Sequence, residues 1–383
     1  MKKYFSFLLI VVALVVAPTL AAAKTATVAA TKAWKPVAPK GYSPIDWAKA
    51  PGIASYYEAP SDNGAIDFLT RIYLPQNAIG FILSVDPTAN QAAPAANINA
   101  SVPVAPTATA PGATINVDTS TAPVVPNPTD MSVYPNLSFS RLVAEAAKAI
   151  DPSFKFIWDA AFFNMRPVSS DLSMAVKFTG GGATAVSSGS RSDADMSLPR
   201  RMLLIDNKTG KASIQDFDAA VFADPKSGDQ AIEGFTPAVV KTDGPTGAAS
   251  RLFVGVSNDG KELTVYCSQS ATVKEASDAL AAAGASIDHQ LEADGGASAA
   301  CGYNLPGQFF VEPTRTLPLM MGAKTIVKRG VVAGASLNVR SGPGTKYPIV
   351  AKLAKNDPVI AYGELSGWYR IGDGQWAIKT LIK

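Results

Sequence analysis

Histidine occurs once, at His289, and cysteine twice, at Cys267 and Cys301, in a chain of 383 residues. That scarcity removes two large classes of chemistry. A Ser-His or Cys-His nucleophile would have to use His289, and no nucleophile elbow accompanies it, so a structural role is expected there. One imidazole and two thiols leave little to hold zinc. No metal or cofactor is expected, although carboxylates leave room for calcium or magnesium. Gly180-Gly181-Gly182 lacks the Lys-Ser/Thr ending of a nucleotide-binding loop and reads as a hairpin or loose connection. Charged residues make up 17% of the chain and aromatics 8%. With 47% hydrophobic content, this is the composition of a folded protein rather than a disordered one.

Long apolar runs are absent with one exception. Phe5 to Val16, preceded by Lys2 and Lys3 and followed by Ala21-Ala22-Ala23, matches a secretory signal peptide over residues 1–23. No other segment is long enough to cross a bilayer, and no cysteine follows the signal to accept a lipid. An exported protein of the cell envelope or the medium, with no membrane span after cleavage, is expected. Export places the two thiols in an oxidising compartment, so Cys267 and Cys301 are expected to pair.

The net charge of +3 implies no partner. From Lys324 onward, however, ten Lys or Arg face only Asp357, Glu364 and Asp373, and such a surface favours anionic polymers. For an exported chain this points away from nucleic acid and toward cell-wall polymers or acidic glycans.

Residues 24–40 read as a linker. Strand candidates follow at Ile66 to Tyr73 and Ala78 to Val85, with a turn at Pro75-Gln76-Asn77. Residues 86–130 are rich in Pro, Ala and Thr, nearly free of charge and without period, as in a flexible insertion. Leu142, Val143, Ala146 and Ile150 recur at helical spacing behind Ser138, and Val273, Ala276, Ala279, Leu280 and Ala283 do so behind Thr272. Between them lie strand candidates at Phe154 to Phe163, Ala175 to Phe178, Arg201 to Ile205, Arg251 to Val256 and Glu262 to Tyr266. The order predicts an α+β unit with a mixed sheet over residues 41–323. From about Leu317 the pattern changes to short strands broken by Gly342-Pro343-Gly344, Asn356-Asp357-Pro358, Ser366-Gly367 and Gly372-Asp373-Gly374, which predicts a small all-β barrel at 331–383.

The segment from Leu291 to Ser298, LEADGGAS, is where chemistry is expected. On a strand, Glu292 and Asp294 share one face roughly 7 Å apart. Two carboxyls about 5 to 9.5 Å apart are what glycosidic bond cleavage requires, one to give a proton and one to act as nucleophile or base. Gly295 and Gly296 then let the backbone turn and approach a ligand closely. An ordinary Asp-Gly-Gly turn is the plainer reading of the same residues.

Two resemblances sharpen this. LNVRSGPGTKYPIVAKL followed by GWYRIGDGQWAIKTLI resembles the bacterial SH3 family, whose members commonly bind peptidoglycan; the resemblance implies that Asn338, Arg340, Trp368 and Trp376 shape or line a wall-binding surface. The larger region resembles the phosphodiester glycosidase family in three ordered blocks, FIWDAAFFN, ASRLFVGVSNDGKEL, and the stretch from Ala276 to Asn304 that carries LEADGGAS. This second resemblance implies catalytic roles for Asp294, with Asp159 or Glu292 as the partner carboxyl, and substrate contacts from Arg251, Gly295, Gly296, Ser298 and Asn164. Arg251 would hold the phosphodiester through its guanidinium fork, with a structural ion pair as the rival role. Asp159 stands where the family has Asn, Glu292 likewise, Ala161 and Ala297 stand in place of glycines, and Leu252 in place of threonine. The expected function is therefore a sugar-1-phosphodiester hydrolase held on the envelope by its SH3 module. The alternative is an envelope-binding protein that keeps the fold and has lost the chemistry. An amidase or peptidase acting on peptidoglycan lacks the His and Cys it would need.

Overall fold

A computed structural model of the chain describes residues 34–58, 65–83, 138–139, 153–165, 170–180, 183–190, 198–237, 247–304, 308–372 and 374–383. The expected signal peptide and the Pro/Ala/Thr-rich insertion lie outside them. So does most of the expected helix behind Ser138; Ser138–Phe139 itself is a short strand.

Among the described residues the protein is mostly β, so the α+β expectation is met only loosely. Eleven strands form one large sheet. Its main path runs Tyr42–Ala50, Ile53–Glu58, Asp67–Tyr73, Glu262–Ala271, Ala249–Val256, Gln290–Gly295, Gln230–Phe235, Arg200–Asp206 and Lys211–Asp216. A second sheet runs Phe309–Val311, Cys301–Tyr303, Phe154–Asp159, Leu319–Thr325 and Asn77–Leu83. The pairings in both are antiparallel, so the mixed sheet expected from the element order is not what forms. Antiparallel neighbours need no helical crossover between strands, and few helices are present.

Side chains of the two sheets meet in one apolar cluster, with Leu252, Val254, Val265 and Leu291 from the first against Phe81, Phe156, Trp158 and Met321 from the second. The helix Val273–Ala282 forms where its spacing predicts and covers the other face of the large sheet. Thr272 and Glu275 close a reciprocal capping box at its start, satisfying two otherwise orphaned donors. Val273, Ala276, Ala279 and Leu280 bury its apolar side against Phe253 and Tyr266.

The disulfide forms as expected between Cys267 of the large sheet and Cys301 of the second, with Cα atoms 6.5 Å apart. It joins the sheets through their shared core. Leu252 pairs with Cys267 on one side and with Asp294 on the other, while Cys301 pairs with Trp158, the neighbour of Asp159.

The C-terminal strands Ile349–Ala354, Ser336–Arg340, Gln375–Ile378, Trp368–Gly372 and Gly363–Leu365 form a separate five-stranded sheet around Leu337, Val359, Tyr369 and Ala377. Just before it, the Arg329 guanidinium donates to the carbonyls of Leu74, Pro75, Asn77 and Asn207 at 2.6 to 3.0 Å. Burial of this guanidinium is thus matched by hydrogen bonds to four carbonyls of the large unit.

Replacing both cysteines by serine opens a loop of 34 residues in the unfolded chain, and the loss expected on loop-entropy grounds is about 3 to 4 kcal/mol. Urea denaturation of the Cys267→Ser/Cys301→Ser variant measures it. An unchanged midpoint would show that the sheets are held without the bond.

Candidate functional site

The strand Gln290–Gly295 does not keep a regular alternation. Asp294 pairs with Leu252 and Glu292 with Phe253, so two steps along one strand match a single step along the other and Ala293 is the extra residue. Such a bulge reverses the facing of everything beyond it. Glu292 and Asp294 therefore point to opposite faces, and the shared-face pair expected from the sequence does not form.

Each acid finds a different partner. Glu292 takes the Arg251 guanidinium, Nη1 to Oε1 at 2.9 Å, with both side chains buried. Arg251 also donates from Nε to the Ala271 carbonyl at 3.2 Å. The rival role for Arg251, a structural ion pair, is the one its geometry fits.

Asp294 turns instead to Asp159, at the end of the strand Phe154–Asp159 in the second sheet, and the two carboxyls are hydrogen-bonded neighbours. Asp159 is 0% exposed and Asp294 2%. Backbone N–H groups hold one oxygen of each: Ala160 donates to Asp159 Oδ1 at 2.7 Å and Gly295 to Asp294 Oδ1 at 2.6 Å. The two Oδ2 atoms are buried without any other donor. Two carboxylates cannot donate to one another, and two anions in a dry site repel, so the contact closes when one proton is shared across it.

Burial is the largest cause raising both groups above the usual carboxylate range. For Asp159 the charge of Asp294 adds to it and takes the carboxyl well above that range. For Asp294 the rise is opposed by the hydrogen bond from Asp159, the Gly295 N–H, the Ser298 hydroxyl and the positive charge of Arg315. Both carboxyls therefore hold a proton more readily than a free aspartate does, and they titrate as a pair.

The turn after Asp294 is built for closeness. Gly296 has φ +67°, a left-handed value that favours glycine, although a Cβ there would meet nothing. At Gly295 a Cβ would stand 3.2 Å from the Ser250 carbonyl. Ser298 is buried behind them. Thr314 donates from its N–H to the Ala297 carbonyl at 2.9 Å, which docks the segment carrying Arg315 against this turn. Sequence reasoning missed Arg315, which lies in no motif and whose charge acts on Asp294 only through the fold.

Other expected contact residues lie apart from the acid pair or serve the fold. Asn164 is exposed and donates from Nδ2 to Ser190 Oγ at 3.1 Å. Phe162 packs edge-on against Phe235, and Phe163 packs against the core. His289 bonds Asn258 and Ser286 on the surface, a structural position. In the C-terminal sheet, Arg340 donates to the carbonyls of Thr345 and Tyr347 and so shapes that loop. Trp368 is buried, while Asn338 and Trp376 are half-buried. Among the described residues no group of three or more His, Cys, Asp or Glu is placed to hold a metal ion.

Residues 335–379 match the bacterial SH3 domain family. That module is the resemblance read first from the sequence. The larger region is similar to the catalytic domain of zebrafish N-acetylglucosamine-1-phosphodiester alpha-N-acetylglucosaminidase, solved auto-inhibited by its pro-peptide: 11% identity, 72% of this chain and 84% of that one covered, TM-score 0.41. A hypothetical protein from Synechocystis is similar at 12% identity over 74% of this chain and 64% of that one, with TM-score 0.35. At such scores these likenesses say nothing about chemistry. No curated protein sequence matches the chain.

Two outcomes follow from the geometry. Because the folded-state carboxyl of Asp159 binds its proton more tightly than the unfolded one, the stability it contributes is fully present below about pH 4 and is lost as pH rises toward the raised value. Asp159→Asn keeps a neutral donor there, so its melting temperature should equal the wild type near pH 4 and exceed it at pH 8; parallel pH curves would refute the shared proton. Glu292→Ala strips the carboxylate from a buried guanidinium and should lower stability by about 3 to 5 kcal/mol, read by chemical denaturation.

Proposed function

We propose that this is an exported cell-envelope protein in which residues 41–323 hydrolyse a sugar-1-phosphodiester and residues 331–383 hold the enzyme on wall polymer. The observation that carries the reading is the Asp159–Asp294 pair, a buried proton-sharing dyad at the lip of a glycine turn. Buried acids with strongly displaced titration are characteristic of reaction sites. The match of residues 335–379 to bacterial SH3 domains supports wall binding by the C-terminal module, and the disulfide fits an extracytoplasmic setting.

The dyad dictates how such a site works. Hydrogen-bonded carboxyls are closer together than the about 5 to 9.5 Å that lets two acids flank a glycosidic bond, so both act from one side. A phosphodiester needs no more, because phosphate departs as a weak base. Asp294 takes a proton from water, the water oxygen bonds to the sugar C1, and the C1–O bond breaks with its electron pair going to the phosphate. The phosphomonoester so formed, with a second pKa of about 6, carries the extra proton away as it leaves. Asp159 stays protonated and orients Asp294. Arg315 supplies the cation that the phosphate requires, while Arg251 is bonded to Glu292. Glu292 then serves the reaction by keeping Arg251 in place, while Gly295, Gly296 and Ser298 form the wall nearest the water.

A non-catalytic envelope-binding protein is the second reading. The near-complete burial of Asp159 and Asp294 favours it, since a substrate must displace something to reach them.

Phosphorus NMR of an N-acetylglucosamine-1-phosphodiester incubated with the mature protein distinguishes the two. Conversion to a phosphomonoester is expected, falling at least a hundredfold in Asp294→Asn and at least tenfold in Arg315→Ala. Absence of conversion by folded, oxidised protein across several sugar phosphodiesters would leave the binding protein.

A further inference from the structure

One transverse row of the large sheet runs through directly paired residues from Asp294 to Leu252, Cys267, Phe68 and Tyr57. Directly opposed residues share a face, and neighbouring strands lie about 4.8 Å apart. Phe68 is thus three strands, about 14 Å, and Tyr57 four strands, about 19 Å, from Asp294. Leu252 and Cys267 in the middle of the row are buried in the core between the sheets, so the row measures how far its two ends lie apart rather than an open surface between them.

Its far end is aromatic. Phe310 stacks on Phe68 with ring centres 4.9 Å apart and planes 9° from parallel. Trp47 meets Phe310 at 5.7 Å and Tyr303 at 6.2 Å, both edge to face. Tyr303 donates its hydroxyl to the Ala48 carbonyl at 2.6 Å, which fixes the strand beside Trp47. Despite these contacts Trp47 is 55% exposed and Tyr57 40%. A tryptophan that is held in place yet left more than half in water is poorly explained by packing. The strand carrying Phe310 leads within five residues to Arg315, whose positive charge acts on Asp294.

We propose that Trp47, Tyr57, Phe68 and Phe310 form a glycan platform that holds the remote units of a polysaccharide whose terminal sugar phosphodiester lies at Asp294. Flat apolar rings match the C–H faces of pyranose units, which branched aliphatic patches do not. The exposed Asp46 and Lys49 beside Trp47 offer an acceptor and a donor to hydroxyls and leave the patch without net charge, which suits a neutral chain better than a lipid headgroup or an acidic polymer. At about 5 Å per sugar, a span of 14 to 19 Å corresponds to three or four units. The placement of the far units rests on the hydrolase reading; binding to the platform does not.

Calorimetric titration of the full chain carrying Asp294→Asn, with soluble N-acetylglucosamine oligomers of one and five units, tests the platform without turnover and without insoluble wall to engage the SH3 module. The pentamer is expected to bind at least tenfold more tightly than the monomer. Adding Trp47→Ala or, separately, Tyr57→Ala should abolish that difference, while either change in the wild-type background should leave hydrolysis of a small sugar phosphodiester unaltered. Equal affinity for the two ligands, or a pentamer preference that survives both substitutions, would overturn the proposal. So would a dimer in sedimentation that Trp47→Ala dissolves, which would make the face a self-interface. Loss of hydrolysis in every preparation with pentamer binding intact would overturn the hydrolase reading and keep the platform.

Discussion

The burial of Asp159 against Asp294 is the constraint from which the rest of the site follows. Each acid is carried by a different sheet, and their hydrogen bond sits where those sheets come together. A second anion there would repel the first across a dry contact and open the sandwich at that point. The disulfide works against such opening. Asp294 pairs with Leu252, Leu252 with Cys267, and Cys267 is bonded to Cys301, whose partner Trp158 adjoins Asp159. The acids therefore close a ring whose other side is covalent, and neither can retreat from the other without dragging its strand.

The same ring explains the division of labour among charged groups. Had the strand Gln290–Gly295 run without its bulge, Glu292 would face the same way as Asp294, and three carboxyls would crowd one pocket. The extra residue at Ala293 sends Glu292 to the opposite face and gives it Arg251. One residue of register thus separates an ion pair that stabilises the sheet from an acid pair that holds a proton.

Much of this was legible in the residues and some of it was not. Alternation and turn chemistry marked Asp67–Tyr73, Arg200–Asp206, Ala249–Val256 and the start of Glu262–Ala271, and helical spacing of apolar residues marked the helix behind Thr272. Two cysteines in a chain read as exported announced their bond. Gln230–Phe235 escaped notice because it is buried on both faces and shows no alternation, and Tyr42–Ala50 because Pro44 and a register shift disguise it. Asp159 and Asp294 were both visible as candidates, but their direct contact depends on sheet packing and on a bulge, neither of which a local pattern encodes. Arg315 had no motif at all. The mostly β character was underestimated for a related reason: antiparallel strands whose two faces are both covered look, residue by residue, like the segments that alternate with helices in an α+β chain.

Arg329 carries a consequence for how the protein meets its surroundings. With its guanidinium held by four carbonyls of the large unit, the start of the SH3 module is clamped rather than strung on a loose linker. A module on a leash lets an enzyme graze in any direction within reach of its anchor. A clamped module behaves instead like a foot: whatever surface it stood on would decide which way the acid pair looks.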